Sequence, residues 1–186
     1  MLKGEKLPII KAERVFLRHL EISDVDSLFE IFSDEEAMRY WSSPPFQNWS
    51  EAEKLLTEIH EYFEQKTLFQ WGIALKETDK IIGTTTIFHF DEKNHRAEIG
   101  YALNRKFWGK GFVNEALNSL FNFAFTQLNL HRIEADVDPR NTASVNVLER
   151  LGFQKEGYLR ERWHVGGEVQ DALFYGLLKS DWEKIA

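Results

Sequence analysis

A strand, a glycine loop and an amphipathic helix follow one another in the middle of the chain. Residues 97–103 alternate as a strand, and from residue 112 onward apolar side chains recur at the spacing of a helix packed on a sheet. Gly109 and Gly111 lie between them, where the absence of side chains leaves backbone N–H groups free at the positive end of the helix dipole. This junction constrains the chain to an α/β arrangement. It predicts either an anion site, with a diphosphate as its usual ligand, or only a tight turn.

Strand and helix patterns alternate along the whole chain. A capping box at residues 50–53 predicts where one helix begins, and the other helices are predicted at residues 23–32, from residue 112, and after Asn141. Strands are predicted at residues 14–20, 69–76, 81–90, 97–103, 132–137, 158–165 and 172–178. The order β-α-α-β-β-β-α-β-α-β-β indicates a single α/β domain over residues 1–186, with a mixed sheet and helices on both faces.

The composition excludes several classes of protein. The 186 residues include no Cys, which rules out disulfides and a thiolate nucleophile and fits a reducing, cytoplasmic location. The net charge of -7 argues against a nucleic-acid partner. No apolar stretch approaches the roughly 18 residues of a membrane span, and we expect no secretion signal. The 6 His show no metal-ligand spacing, so no metal site is predicted.

Glu98 is the first candidate for chemistry. Alternation places Glu98 on one strand face with Gly100 and Ala102, and a carboxylate beside two small residues indicates a cavity. A buried carboxylate has a raised pKa, which suits a general base. The alternative is a carboxylate at a strand end that pairs with Arg96 or Lys93.

Three further polar residues lie around the next strand and helix. Asn141 precedes a helix and is expected to act at least as its N-cap. Ser144 shares a helix face with apolar residues, so its hydroxyl either bonds the helix backbone or faces a site. Asp136 alternates with Glu134 and Asp138, which indicates a solvated acidic face, a base or a rim that attracts cations.

Four sequence runs are informative in their order and spacing: AEIGYAL (97–103), WGKGFVNEAL (108–117), HRIEADVDPRNTASVNVLERLGF (131–153) and DALFYGLLKSDW (171–182). Together they resemble the GNAT superfamily of N-acetyltransferases, and among them the RimJ/RimL-type ribosomal-protein acetyltransferases. The resemblance implies a central, mostly antiparallel sheet with helices on both faces. It also implies acetyl transfer from acetyl-CoA to a primary amine, with no metal.

The resemblance also implies a set of cofactor contacts. The family's phosphate loop corresponds to residues 106–111, where Lys106 stands in place of the usual Gln or Arg. The strand before this loop, at residues 101–103, bonds the pantetheine arm of the cofactor. The family's asparagine that contacts the cofactor corresponds to Asn141. The implied contacts are Tyr101, Ala102, Leu103, Lys106, Trp108, Gly109, Lys110, Gly111, Phe112, Val113, Asn141 and Ser144.

The implied mechanism is direct attack of the amine on the thioester. An α-amine needs only a weak base because its pKa is about 7.7–8.0; Glu98 is the first candidate and Asp136 the second. Many relatives protonate the departing thiolate with a tyrosine seven residues after the asparagine, but Leu148 occupies that position here. Ser144 matches the serine of the RimL-type pattern and is the remaining candidate.

The acceptor is open at this stage. Segments 38–46 and 158–165 correspond to the acceptor site of the family, and their aromatics Tyr40, Trp41, Phe46 and Trp163 either wall a groove or belong to the core. A protein N-terminus, especially of a ribosomal protein, and a small amine both fit. A non-catalytic CoA-binding protein and an ATP- or NAD-binding module are further alternatives. We expect a monomer or a homodimer.

Overall fold

One eight-stranded sheet forms the centre of the protein in a computed structural model, which describes residues 4–185. The strands are β1 (Ile10–Lys11), β2 (Val15–Arg18), β3 (Leu68–Leu75), β4 (Ile81–Asp91), β5 (Arg96–Leu103), β6 (Arg132–Val137), β7 (Gln154–Val165) and β8 (Glu168–Leu178). Their order is β1-β2-β3-β4-β5-β6-β8-β7, and every neighbouring pair is antiparallel except β5 with β6. The predicted mixed, mostly antiparallel sheet is confirmed.

Helices cover both faces of this sheet. They are α1 (Val25–Phe32), α2 (Glu35–Met38), α3 (Trp49–Gln65), α4 (Phe112–Thr126), α5 (Thr142–Arg150) and α6 (Lys179–Trp182). Leu103 of β5 belongs to the apolar cluster of α4 and α5, whereas its neighbour Ala102 belongs to that of α1 and α3. Because successive strand residues point to opposite faces, the two clusters lie on opposite sides of the sheet. Within residues 4–185, no helix is long and apolar enough to cross a membrane.

The parallel pair β5–β6 separates halfway along. Its pairs are Arg96 with Arg132, Ala97 with Ile133, and Glu98 with Glu134. Beyond Glu98, β5 continues against β4 to Leu103, and beyond Glu134, β6 continues against β8 to Val137. Backbone groups that face each other across the resulting gap therefore have no partner strand, although such groups bond strongly when one is offered. The gap is the natural place for an extended ligand.

Several element boundaries differ from the sequence prediction. The prediction of a capping box at residues 50–53 was wrong, because α3 begins at Trp49 and its N-cap is Asn48. The carboxylate of Glu51 accepts a hydrogen bond from the backbone N–H of Gln47. The strand predicted at 158–165 begins earlier, at Gln154, and is bulged, with Glu161 at a φ of 53°. Its exposed side chains lack the clean alternation that a prediction needs.

Candidate active site

The free edge of β5 forms one wall of the gap. The backbone N–H of Asn104 donates to the carbonyl of Ile82 on β4 at 2.8 Å. By strand alternation, the backbone groups of Ala102 also point toward β4, whereas those of Tyr101 and Leu103 point toward the gap. The Leu103 carbonyl is taken by the indole N–H of Trp108 at 2.8 Å. The N–H and C=O of Tyr101 and the N–H of Leu103 are left for a ligand.

The predicted anion loop lies at the N-terminus of α4. Gly109 and Gly111 have φ values of 71° and 81°, a left-handed conformation that side chains disfavour. Among the described residues, no protein acceptor receives a hydrogen bond from the backbone N–H groups of residues 109–114. A β-carbon added to Gly109 would meet no atom within 4 Å. An incoming anion would therefore meet uncovered amides at the positive end of a 15-residue helix.

The two lysines of this loop already have partners within the protein. Lys106 does not point its charge at a free site, because its Nζ pairs with Glu30 Oε1 at 3.1 Å. Hydrogen bonds from Lys106 and then Lys80 lower the pKa of Glu30, which keeps this pair charged. Lys110 Nζ donates to the Lys106 carbonyl at 2.9 Å. A bound anion would therefore contact the backbone amides of the loop rather than the lysine ammonium groups.

Arg14 contacts this loop from another part of the chain, and the sequence reasoning missed this residue. Its guanidinium donates to the Lys110 carbonyl at 3.0 Å and to Glu115 Oε2 at 2.7 Å, and it lies over the ring of Phe112 at 4.5 Å. The Arg14 side chain thus braces the loop from the start of β2. No local sequence pattern predicts this contact, because Arg14 and Glu115 are 101 positions apart.

Asn141, Ser144 and Tyr101 meet on the side of the gap that faces α4 and α5. Asn141 is the N-cap of α5, and its Oδ1 accepts the backbone N–H of Ser144 at 3.0 Å. The Ser144 hydroxyl does not turn back to the helix but lies 2.5 Å from the hydroxyl of Tyr101. Burial raises the pKa of Tyr101 to about 12, against a smaller lowering effect of its hydrogen bond with Ser144. The phenol is therefore neutral at physiological pH.

Glu98 lies at the point where the two strands part, on the opposite face. Its side chain is 16% exposed, and its Oε1 lies 3.2 Å from Nδ1 of His89. The alternative partners Arg96 and Lys93 are not used: Arg96 pairs instead with Glu134, at 2.7 Å, and with Asp91. Glu98 is thus a partly exposed carboxylate beside an imidazole.

Glu134 is directly opposite Glu98 in the β5–β6 register. It is only 5% exposed and accepts hydrogen bonds from both Arg96 and Arg132, each at 2.7 Å. Each of its two oxygens pairs with a guanidinium, so its charge is neutralised within the protein and it is a weak base for a substrate amine. Two acids that look alike in the sequence are therefore distinguished by their partners.

Asp136 is enclosed rather than solvated. Its side chain is 10% exposed, and Oδ2 accepts a hydrogen bond from Nε of Arg162 at 3.1 Å. Oδ1 is buried and has no partner within the described residues. The interpretation of Asp136 as part of a solvated acidic face was wrong, because the side chain of Arg162 on β7 covers it.

The four aromatics assigned to the acceptor groove divide into two groups. Trp41 and Phe46 pack against Phe32, with ring centroids 5.7 and 5.5 Å apart, and so belong to the core beneath α1. Tyr40 lies under the guanidinium of Arg140 at 5.7 Å, and Trp163 is 38% exposed on β7. The side chains of Tyr40 and Trp163 remain available to a ligand.

The β7 bulge carries a second set of polar groups that the sequence reasoning missed. An open cavity of about 660 Å³ is lined by residues 158–162. Asp171 holds this bulge, accepting the Tyr158 hydroxyl at 2.5 Å and the backbone N–H of Glu161 at 2.7 Å. The bulge turns Arg162 toward Asp136, and this ion pair connects the β7–β8 hairpin to the face of β6 that carries Asp136.

Comparisons with known proteins agree with this geometry. Residues 14–154 match the family described as "Acetyltransferase (GNAT) domain". An uncharacterized N-acetyltransferase p20 of Bacillus licheniformis is 42% identical over 170 residues, which cover 91% of this chain and 96% of that protein. The ribosomal protein uS5-alanine N-acetyltransferase of Escherichia coli is 31% identical over 125 residues, covering 67% of this chain and 64% of that protein.

Solved structures are similar over nearly the whole chain. A GNAT-family acetyltransferase from Bacillus anthracis has a TM-score of 0.83 and 27% identity, covering 93% of this chain and 99% of that one. Spermidine N-acetyltransferase from Vibrio cholerae, solved in complex with CoA and spermine, has a TM-score of 0.80 and 25% identity, covering 91% and 98%.

The eight-stranded sheet, in which two neighbouring strands part halfway, is the fold of an acetyltransferase, and the chain belongs to the GNAT acetyltransferase family. It is an acetyl-CoA-dependent N-acetyltransferase, as the sequence resemblance implied. A relative named for ribosomal-protein acetylation agrees with the RimJ/RimL-type resemblance.

Proposed function

We propose that this enzyme acetylates the N-terminal α-amine of a protein by direct attack on acetyl-CoA. The observation that carries the proposal is the loss of β5–β6 pairing after Glu98, next to the uncovered N-terminus of α4. These two features offer, on one path, amides for a diphosphate and a strand edge for an amide-bearing arm. A non-catalytic CoA binder needs neither Glu98 nor Ser144 at the end of that path.

Acetyl-CoA would be held mainly by backbone groups. The diphosphate accepts hydrogen bonds from amides of the loop and of the first turn of α4, which come from Gly109, Lys110, Gly111, Phe112 and Val113. The pantetheine arm pairs with the free groups of Tyr101 and Leu103 as an added strand would. An amide of this edge can also stabilise the oxyanion that forms at the thioester carbonyl.

Glu98 is the base that fits best. It is partly exposed at the parting of the strands, and its neighbour on this face is His89 rather than an arginine. Asp136 is the second candidate, but Arg162 would have to move before an amine reached it. With an amine pKa of about 7.7–8.0, proton removal through one water is sufficient at neutral pH. Ser144 is the group that faces the departing sulfur.

The paired acids favour an acceptor with one cationic group. A polyamine needs several unpaired carboxylates, whereas Glu134 and Asp138 are already held by arginines. A protein N-terminus brings a single ammonium followed by neutral backbone. The similarity to a spermidine acetyltransferase supports small amines as the second candidate.

The first experiment measures CoA thiol release with acetyl-CoA and a panel of acceptors. We expect turnover with N-terminal peptides of ribosomal proteins and little with spermidine. Turnover with spermidine alone would reassign the acceptor to a small amine. If the protein binds acetyl-CoA but releases no CoA thiol with any acceptor, only the non-catalytic alternative remains.

Glu98→Gln tests the base. Because general-base catalysis contributes about 10²–10⁴-fold, we expect kcat/KM at neutral pH to fall by about 100-fold or more with acetyl-CoA affinity unchanged. The matched control is Glu92→Gln in the exposed β4–β5 turn, for which we expect wild-type rates. A wild-type rate in Glu98→Gln would exclude this role of Glu98.

A further inference from the structure

The side chain of Tyr101 connects β5, at the edge of the gap, to helix α5. It stands on β5 beyond Glu98, the last residue paired with β6, and its side chain reaches α5. Its hydroxyl lies 2.5 Å from Ser144 Oγ and 3.4 Å from the Ser144 carbonyl. Among the described residues, no other side-chain hydrogen bond joins residues 99–103 to α5. This contact holds the Ser144 side chain at the position where a ligand in the gap would end.

The direction of the short hydrogen bond decides what Ser144 can do. A serine hydroxyl has one hydrogen, so it can serve either Tyr101 or a ligand. A phenol is more acidic than an alkyl hydroxyl and is the better donor, and the pKa of about 12 for Tyr101 keeps its proton in place. If Tyr101 donates to Ser144 Oγ, the hydrogen of Ser144 is free to point into the gap.

We propose that Tyr101 is a positioning residue whose hydroxyl donates to Ser144 Oγ and thereby directs the Ser144 proton to the departing CoA thiolate. The inference rests on the proposed function. It also explains how α5 serves the reaction although Leu148, one turn further along, is buried in the core and carries no acid.

The proton balance of this step is complete. The amine nitrogen forms its bond to the acetyl carbon, and the carbon–sulfur bond breaks with its electron pair going to sulfur. Ser144 gives its proton to that sulfur, and the hydrogen bond from Tyr101 stabilises the charge that develops on Ser144 Oγ. The proton that the amine loses passes to Glu98 or water, and solvent returns one to Ser144.

Tyr101→Phe is the direct test, because it removes one oxygen and keeps the ring. We expect kcat to fall by about 10- to 100-fold, the range of a hydrogen bond to a developing charge. We expect KM for acetyl-CoA to stay within about twofold, because the backbone that holds the arm is unchanged. Ser144→Ala should lower kcat by a similar factor, and the double variant should be no slower than the slower single variant. Tyr62→Phe, an exposed tyrosine on α3, is the matched control and should behave as wild type.

A wild-type kcat in Tyr101→Phe would overturn the inference, as would losses that multiply in the double variant. If the Phe variant does not fold, 4-fluorophenylalanine at position 101 keeps the volume without a donor and should be slow. In the same position 3-fluorotyrosine keeps the donor and should retain kcat; equal rates for these two substitutions would overturn the inference. Failure of the proposed function looks different, since wild type itself would then release no thiol with N-terminal peptides.

Discussion

Carboxylates on the sheet face that carries α1 and α3 differ in the groups to which each is bonded. Glu98, Glu134 and Asp136 all lie on the same side of neighbouring strands, but an imidazole, two guanidiniums and one guanidinium face them respectively. Two arginines favour the ionised form of the carboxylate that they face, so this carboxylate takes up a proton less readily and is a weaker base. Pairing therefore assigns Glu134 a structural role and leaves Glu98 for chemistry.

Glu134→Gln tests the structural role. Removing the charge leaves Arg96 and Arg132 with one partner fewer in a nearly closed environment, although Asp91 and Glu156 still pair with them. We expect the free energy of unfolding to fall by about 1–3 kcal/mol. Urea denaturation measures this change.

The matched control for Glu134 is an exposed ion pair. Glu168→Gln removes a carboxylate that is 56% exposed and pairs with Arg140, so we expect no measurable change in the urea midpoint. Equal denaturation midpoints for Glu134→Gln and wild type would show that the buried pair contributes nothing to stability.

At the scale of elements, the glycine loop and α4 act together. A left-handed residue at Gly111 lets the chain enter α4 with its first amides uncovered, and Arg14 braces the turn. Both the sequence and the structure indicate an anion site here, because a Gly-x-Gly loop before a helix is a local feature. This loop is the part of the candidate site for which local sequence was sufficient.

Gly111→Ala separates strain from ligand binding. A side chain at a φ of 81° costs about 1–2 kcal/mol. In this loop the new methyl group also lies beside the backbone amides at the start of α4, where it would hold a diphosphate away from them. We therefore expect the Kd for acetyl-CoA to rise about tenfold or more. Isothermal titration calorimetry measures the affinity.

Gly166→Ala is the matched control for the loop variant. Gly166 is also left-handed, with a φ of 56°, but it lies in the β7–β8 turn. We expect a similar loss of stability with unchanged acetyl-CoA affinity. Equal affinities of the two variants would mean that the loop does not bind the diphosphate.

At the scale of the whole molecule, a histidine pair joins distant parts of the chain. His19 follows β2 and stacks on His60 of α3 with ring centroids 4.8 Å apart, and the backbone N–H of Leu7 points to its Nδ1 at 3.5 Å. Burial, and then the proximity of His60, lower the pKa of His19 below 6.5. We therefore expect the stability of the fold to depend on pH through His19.

We expect the free energy of unfolding to fall as the pH drops below about 6.5. Above that pH, His19 is neutral in both states and has no effect. Below it, the unfolded chain takes up a proton that folded His19 resists, until the pH reaches the folded pKa. Glu30 and Asp138 cannot cause this loss, because their pKa values lie below the ordinary 4.5 and 3.8.

Urea midpoints at pH 7.5 and 5.5 measure the effect of His19. In His19→Gln the difference between the two midpoints should shrink, whereas the exposed control His164→Gln should keep it. An undiminished difference in His19→Gln would assign the pH dependence to other groups.

Local patterns were enough to predict the longer helices, most of the strands, the glycine loop and the cap of α5, because each depends on residues a few positions apart. They did not predict the short elements β1, α2 and α6. They placed Glu98 and Ser144 on the right elements without showing their neighbours. The termination of β5–β6 pairing after Glu98 depends on how eight strands are ordered, and no segment contains that information. The contacts of Arg14 with Glu115, of Arg162 with Asp136 and of Tyr101 with Ser144 depend on it as well. The sequence by itself determined which groups this protein carries. The tertiary structure decided which of them are neutralised and which meet in the gap, because ion pairs and hydrogen bonds act only over a few ångströms between residues that are far apart in the chain.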